Sequence, residues 1–188
     1  MRLTAVTDGH GSHQAILPAR ALNELSRMLE DADGDVQVRV SENQALFSAP
    51  NGVTLVTRLI EGQFPNFEKV IPTEHNKKLL IPTAQFEQSL KRVAIVAKEN
   101  SNRAVVQTDD GKLTITAESG SVGKAHEEVE IVKEGDDTKM VFSARYLLDV
   151  LGVIETETIE MELSGEVNQA LIRPQGQDEY LYVVMPMQ

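Results

Sequence analysis

The chain repeats one pattern three times, and this repetition constrains its fold more than any other feature. Each copy contains a short apolar run, then Pro or Ser, and then a stretch with apolar residues at helical spacing. The copies begin near Ala15, Leu79 and Met140. A spacing of roughly 60 residues indicates a supersecondary unit that is used more than once. Since one such unit cannot bury both a sheet face and a helix face, we expect the units to pack in pairs.

The central stretch of each copy predicts an amphipathic helix, because its apolar residues recur at intervals of three and four. A Pro before such a stretch fits a helix start, where its missing N–H has no partner in any case. The shared apolar faces consist of Leu22, Leu25, Met28 and Leu29 in the first copy, Phe86, Leu90, Val93 and Ala94 in the second, and Leu147, Val150, Leu151 and Ile154 in the third.

Alternating apolar and polar residues follow each predicted helix and indicate half-buried strands. The alternating runs are residues 36–40, 112–116 and 159–163, and turn residues lie at 50–52, 109–111 and 164–165. The sequence therefore predicts an α+β fold, in which each unit is one helix followed by antiparallel strands and the helices cover one face of the sheets. It predicts a half domain over residues 1–78 and a complete domain over residues 79–188.

The composition excludes several classes of protein. The 188 residues include no Cys, which excludes disulfides and thiolate metal sites. No apolar run reaches the length of about 18 residues that a membrane span requires, and no signal peptide follows Met1. We therefore expect a cytoplasmic protein without membrane association. The net charge of −11 argues against a protein that coats nucleic acid with its whole surface, although it is compatible with a local basic patch.

Two short motifs near the ends of the chain have more than one interpretation. Thr7-Asp8-Gly9-His10 fits a turn capped by its own side chains. Asp8 and His10 also fit an acid–base or metal pair in a hydrolase, but no third ligand lies nearby and the four His residues lack ligand spacing. We expect no metal and no cofactor. The final run, residues 183–188, fits a last strand that packs on the core, or an adaptable apolar surface built on two Met residues.

Several segments jointly resemble the bacterial DNA polymerase III beta-subunit sliding clamps. They are the three copies, the Thr7-Asp8-Gly9-His10 motif, residues 62–67, residues 146–151 and the final run. Their order and approximate spacing agree over nearly the whole chain. The resemblance implies a DNA-clamp fold that covers the second half of the family's middle domain and its C-terminal domain. It also implies a processivity factor without enzymatic activity.

The resemblance further implies a pocket for a short peptide from DNA polymerases, the clamp loader and repair proteins. The peptide is typically a Gln followed by a Leu and a Leu-Phe pair, and Val, Pro and Met suit an apolar pocket for it. A Tyr at a helical position, such as residue 146, is more often a core residue than a ligand contact. The implied pocket residues are Thr7, Gly9, His10, Pro65, Lys69, Val70, Tyr146, Val167, Gln169, Val183, Val184, Met185, Pro186 and Met187.

The resemblance also implies that basic residues on the helices face duplex DNA and contact it weakly and without sequence preference. These residues are Arg20, Arg27, Lys91, Arg92 and Arg145. The alternative is a solvated helix face with ion pairs such as Arg20–Glu24.

The chain departs from the family pattern directly after His10. The family's Arg-Leu is missing there, and Gly11-Ser12 is typical of a flexible joint, which indicates an engineered junction or a natural deletion. The implied pocket therefore lacks part of one wall. A self-assembling ring of several chains around duplex DNA is the alternative function, since a single chain has only three of the units. An unrelated hydrolase that uses Asp8 and His10 is a more distant alternative.

Overall fold

The computed structural model describes residues 9, 13–30, 32–64, 66–72, 74–165 and 168–187, which fall into two units. The N-terminal unit lies within residues 6–66, and the C-terminal unit lies within residues 67–188. The predicted boundary between residues 78 and 79 therefore lies inside the C-terminal unit. The segment before residue 78 joins this unit because its backbone bonds there, as shown by Asn76, whose N–H donates to the carbonyl oxygen of Leu163 at 3.1 Å.

The N-terminal unit contains one helix and one three-stranded antiparallel sheet with the strand order β1-β2-β3. Phe47 pairs with Val38 on one side and with Leu55 on the other. Its buried residues Ala45, Phe47 and Ala49 alternate along β2 and the turn after it, as a half-buried strand requires. The elements are α1 (Ala19–Met28), β1 (Gln37–Val40), β2 (Gln44–Ser48) and β3 (Thr54–Arg58).

Helix α1 forms where the sequence predicts it, but no residue of α1 is buried. Leu22 is 43% exposed, although it belongs to the predicted apolar face. This exposure agrees with the expectation that a copy needs a second copy to cover its apolar face, because the N-terminal unit contains only the first copy. The physical reason is that the unit has only a half domain's layers, so α1 has little sheet to cover.

The C-terminal unit contains two helices, a five-stranded sheet and a four-stranded sheet, both antiparallel. The strand orders are β12-β11-β10-β4-β8 and β7-β6-β5-β9. A 3₁₀ turn, Phe67–Val70, begins the unit. Its elements are β4 (Lys77–Pro82), α2 (Thr83–Ala97), β5 (Arg103–Asp109), β6 (Lys112–Ser119), β7 (Gly123–Glu130), β8 (Val132–Glu134), β9 (Lys139–Ser143), α3 (Ala144–Leu151), β10 (Thr158–Leu163), β11 (Ala170–Pro174) and β12 (Tyr182–Val184).

The second and third copies of the repeat exchange strands inside this unit. Strand β4 of the second copy pairs with β10 of the third, and β5 of the second pairs with β9 of the third. Helices α2 and α3 contact each other, and α2 lies against β6 and β7. The predicted pairing of units is confirmed for these two copies.

The predicted apolar faces of α2 and α3 form much of the core of the C-terminal unit. Phe86, Leu90, Val93, Leu147 and Val150 are all fully buried. The turn predicted at residues 109–111 is also present, as a two-residue connection between β5 and β6. Asp110 and Gly111 there have φ angles of 41° and 79°, the left-handed region that such tight hairpins require. Within the described residues, no helix is both long and apolar enough to span a membrane.

Candidate functional site

The final run of the sequence is bonded to both sheets of the C-terminal unit. Within β12, Val184 pairs with Ala170 and Val183 pairs with Leu171 of the five-stranded sheet. Beyond the strand, the N–H of Met187 donates to the carbonyl oxygen of Val141 in β9 at 2.7 Å. This apolar run is therefore held by the backbone of strands from both sheets.

Side chains of the final run point alternately to the core and away from it. Val184 is only 3% exposed and belongs to the core cluster. Val183 is half-buried and Met185 is 57% exposed, and their side chains lie on the opposite face of the strand. Of the predicted pocket residues, Val184 thus serves as core, whereas Met185 offers an adaptable apolar surface.

The same outer face continues onto β11. Extending the β11–β12 register by one step places Gln169 opposite Met185, and directly opposite residues share a face. Leu171, two residues after Gln169 in β11, lies on the same face. It is only 2% exposed, and it is not part of the central core cluster. Sequence reasoning missed Leu171, because Ala170, Leu171 and Ile172 form a continuous apolar run in which the two faces look alike.

The segment that leads into the C-terminal unit lies beside this face. The side-chain Nε2 of Gln169 donates a hydrogen bond to the carbonyl oxygen of Val70 at 3.1 Å. Val70 is 45% exposed, and Lys69 next to it is also exposed. The structure therefore brings together Val70 and Gln169, two predicted pocket residues that are far apart in sequence.

Helix α3 contributes a third side, with Tyr146 at 53% exposure. The helix contacts β12. Burial raises the pKa of Tyr182 in β12 above its ordinary value of 10.0, and Asp149 of α3 and the phenols of Tyr180 and Tyr146 act in the same direction. Tyr146 is therefore a surface residue of α3 near β12 and not a core residue.

Some of the predicted residues cannot be placed in this way. Thr7, His10, Pro65 and Val167, and also Asp8 of the suggested hydrolase pair, lie outside the described residues. Gly9 is described and exposed, and it belongs to the N-terminal unit. Pro186 and Met187 follow Met185 and are half-buried. Among the described residues, no group of three or more His, Asp or Glu side chains could hold a metal ion.

Comparison with known protein families shows to which family the chain belongs. The family model for the DNA polymerase III beta subunit, C-terminal domain, matches residues 68–188, and the model for its central domain matches residues 1–66. The chain belongs to the bacterial beta sliding clamp family. This membership confirms the resemblance seen in the sequence.

Individual sliding clamps match the chain over nearly its full length. The beta sliding clamp of Pseudomonas aeruginosa is 32% identical over 185 residues, which are 98% of this chain and 50% of that protein. The clamp of Staphylococcus aureus is 28% identical over 189 residues, covering 100% of this chain and 50% of that protein. The chain thus spans about half the length of the curated clamps that it matches.

Solved structures confirm the predicted clamp fold. A Pseudomonas aeruginosa sliding clamp with ligand has a TM-score of 0.86 at 33% identity, covering 94% of this chain and 48% of that one. A sliding clamp from Bartonella birtlesii bound to griselimycin has a TM-score of 0.86 at 30% identity, covering 93% and 47%. A Streptococcus pneumoniae beta chain, at 24% identity, has the same fold with a TM-score of 0.90, covering 100% and 50%.

Some of the basic residues that the resemblance suggests for DNA contact are already paired with a carboxylate, and others are not. Arg92 donates two hydrogen bonds to Glu127, and Lys91 pairs with Glu87 at 2.8 Å. Arg27 pairs with Glu24 at 3.1 Å. The suggested pair Arg20–Glu24 is therefore wrong, because the Glu24 carboxylate is held by Arg27, one turn further along α1.

Two of these basic residues remain without an acidic partner in the part of the chain that the structure describes. Arg20 at the start of α1 and Arg145 at the start of α3 are both exposed and form no ion pair there. An exposed guanidinium without a carboxylate partner keeps its full charge available to a phosphate. Arg20 and Arg145 are thus the predicted DNA-facing residues whose guanidinium groups have no carboxylate partner among the described residues.

Proposed function

We propose that this chain is a sliding-clamp fragment that docks partner peptides on the outer face of the C-terminal unit and catalyses no reaction. The observation that carries the proposal is the hydrogen bond from Gln169 to Val70, beside the exposed Met185. This bond joins Val70, at the end of the 3₁₀ turn Phe67–Val70, to Gln169 beside the final run, so that apolar groups from distant parts of the sequence border one surface.

The chemistry of this surface suits a short apolar peptide. Val70, Tyr146 and Met185 are each about half exposed, and a Met side chain adapts to several ligand shapes. The exposed Lys69 next to Val70 adds a polar group that fixes the orientation of a ligand. The ligand-bound clamps of Pseudomonas aeruginosa and Bartonella birtlesii support a binding site in proteins of this fold.

The partners that we propose are peptides with a Gln followed by a Leu and a Leu-Phe pair, as carried by DNA polymerases, the clamp loader and repair proteins. A few buried Leu and Phe side chains would supply most of the binding energy. Lys69, Val183, Pro186 and Met187 complete the proposed surface within the C-terminal unit. The roles of Thr7, Gly9, His10, Pro65 and Val167 remain predictions from the family resemblance.

A fluorescence titration with a labelled Gln-Leu-x-Leu-Phe peptide tests this proposal. We expect saturable binding to the chain, and at least about a fivefold weaker affinity for Met185→Ala, as for a truncated hot-spot side chain. The Met187 N–H bond to Val141 survives this substitution, because it uses only the backbone.

Val132→Ala is the matched control. Val132 is 63% exposed on β8, at the opposite edge of the same five-stranded sheet. It pairs with Leu80, whose neighbours Leu79 and Ile81 face the core, so Val132 lies on the same outer face as Met185. Equal losses of affinity in the two variants would contradict a local site at Met185.

Self-assembly is a second candidate function, favoured by the uncovered apolar residues of the N-terminal unit. Leu22, Val38 and Val56 are 43%, 54% and 56% exposed. A second chain that covers them would bury apolar surface, and several chains would supply the units of a ring around duplex DNA. Sedimentation equilibrium tests this idea, with a mass above 20.7 kDa expected for an assembly. A mass of one chain at every concentration would refute it.

A further inference from the structure

The hydrogen bond between Gln169 and Val70 joins residues that are 99 positions apart in the sequence. Val70 ends the 3₁₀ turn Phe67–Val70, and residues 71–76 lead from there to β4. We call residues 67–76 the connecting segment. Its carbonyl oxygen at Val70 accepts from a side chain and not from a strand, so this contact depends on the chemistry of a single amide group.

The other end of the connecting segment is held by backbone contacts and by His75, whose Nδ1 lies 3.7 Å from Oε2 of Glu162. The N–H of Asn76 donates to the carbonyl oxygen of Leu163 at 3.1 Å. Gly135 approaches the carbonyl of Asn76 so closely that a Cβ at this position would overlap the oxygen. None of these contacts involves residue 169, whereas the Val70 carbonyl accepts a hydrogen bond from the Gln169 side chain.

Gln169 is also tied to the final run of the sequence. It precedes Ala170, which pairs with Val184, and the register places it opposite Met185 on the outer face. The Gln169 side chain therefore links the start of β11, opposite Met185, to the connecting segment.

We propose that Gln169 is a positioning residue that holds the Val70 side of the peptide surface in place before any peptide binds. The inference rests on the proposed peptide-docking function. A surface that is ordered in the free protein does not have to be ordered on binding, which strengthens affinity without a new contact to the ligand. The bond requires a hydrogen-bond donor at residue 169, because the Val70 carbonyl only accepts.

Gln169→Glu tests the inference with almost no change in side-chain size. An ionised carboxylate only accepts hydrogen bonds, so it repels the Val70 carbonyl oxygen. We expect faster hydrogen exchange of the amides in residues 67–72 of the free protein. We also expect peptide affinity to fall roughly 3- to 10-fold at neutral pH, the effect of losing one hydrogen bond.

Acidification separates positioning from a general structural defect. A protonated carboxyl has an O–H that donates to the Val70 carbonyl, so part of the lost affinity should return as the pH falls toward the carboxyl pKa of about 4.3. The unsubstituted chain, measured over the same pH range, corrects for any other titration. A loss of affinity that is independent of pH would overturn the proposal.

Gln175→Glu is the matched control for charge and folding. Gln175 is exposed and directly follows β11, the strand that Gln169 precedes. This variant adds the same charge to the other end of the same strand, and we expect unchanged exchange in residues 67–72 and unchanged affinity. A matching thermal unfolding midpoint of the two variants shows that both are folded.

The two readouts distinguish the possible results. Weaker binding of Gln169→Glu with unchanged exchange in residues 67–72 would mean that Gln169 contacts the peptide directly, and it would overturn the positioning role. Faster exchange with unchanged affinity would overturn it as well. If the unsubstituted chain binds no peptide, the proposed function fails, whereas unchanged exchange in Gln169→Glu shows separately that Gln169 does not hold the segment.

Discussion

The guanidinium of Arg92 holds the carboxylate of Glu127 through two hydrogen bonds, Nε to Oε1 at 2.7 Å and Nη2 to Oε2 at 2.6 Å. The pair joins helix α2 to strand β7 and uses both carboxylate oxygens. Such a bidentate pair fixes the relative orientation of the two side chains more firmly than a single contact does.

The first prediction concerns the acidity of Glu127. Hydrogen bonding from Arg92 lowers the pKa of Glu127 below its ordinary value of 4.5. Because the pKa is lower in the folded state, the pair stabilises the fold above about pH 4.5, and this stabilisation is lost as the pH falls through the folded-state pKa. Arg92→Gln should raise the Glu127 pKa toward 4.5, as measured by a ¹³C carboxyl titration in NMR. A Glu127 pKa that is unchanged in this variant would contradict the assignment.

The second prediction concerns contact with DNA. Arg145 has no acidic partner among the described residues, whereas Arg92 is occupied by Glu127. Arg145→Gln should therefore weaken binding to a random duplex more than Arg92→Gln does. It should also reduce the slope of log affinity against log salt by about 0.9, the value for one phosphate contact. Fluorescence anisotropy over a range of salt concentrations measures both quantities, and equal effects of the two variants would refute the prediction.

The third prediction concerns the ionisation of Tyr182. Burial raises the pKa of Tyr182 above 10.0, so the unfolded chain loses this proton at a lower pH than the folded chain does. Stability is therefore fully present below about pH 10 and decreases as the pH rises through the folded-state pKa. An absorbance titration at alkaline pH should show a late-titrating phenol that is missing in Tyr182→Phe. Tyr146→Phe is the control. The late-titrating phenol of Tyr182 should remain in this variant, with a slightly lower pKa because Tyr146 no longer contributes.

The fourth prediction concerns the approach of Gly135 to the connecting segment. Gly135 has a φ of 87°, and a Cβ there would overlap the carbonyl oxygen of Asn76. Gly135→Ala should lower the free energy of unfolding by about 2 kcal/mol or more, since backbone strain and a steric overlap act together. Gly176→Ala is the control, because its φ of 75° carries similar strain while no atom lies within 4 Å of the added Cβ. Chemical denaturation should show the smaller loss for Gly176→Ala.

Most of the fold could be predicted from the sequence, because it is encoded in local spacing. The apolar residues of α2 recur at helical intervals and are buried, as Phe86 and Leu90 show. The hairpin at Asp110 and Gly111 has the turn residues that a two-residue connection needs. Periodicity shows that Leu22 lies on the apolar face of α1, but periodicity alone does not show what covers that face.

The candidate site was predictable only through its resemblance to a family. Gln169 and Val70 are 99 positions apart in the sequence, and no local spacing indicates a bond between residues so far apart. Val184 is buried in the core and Met185 is exposed because of the strand register. The sequence does not show this register, because nearly every residue of the final run is apolar.

The exchange of strands between the two repeats of the C-terminal unit has a kinetic consequence. Strand β4 needs β10, and β5 needs β9, so neither repeat completes a sheet on its own. Contacts between such distant positions require a large loop to close before they add stability, and a topology with many of them slows folding. During synthesis, the second repeat must remain incomplete until the third has been made, and its unpaired strand edges are exposed to aggregation throughout that interval.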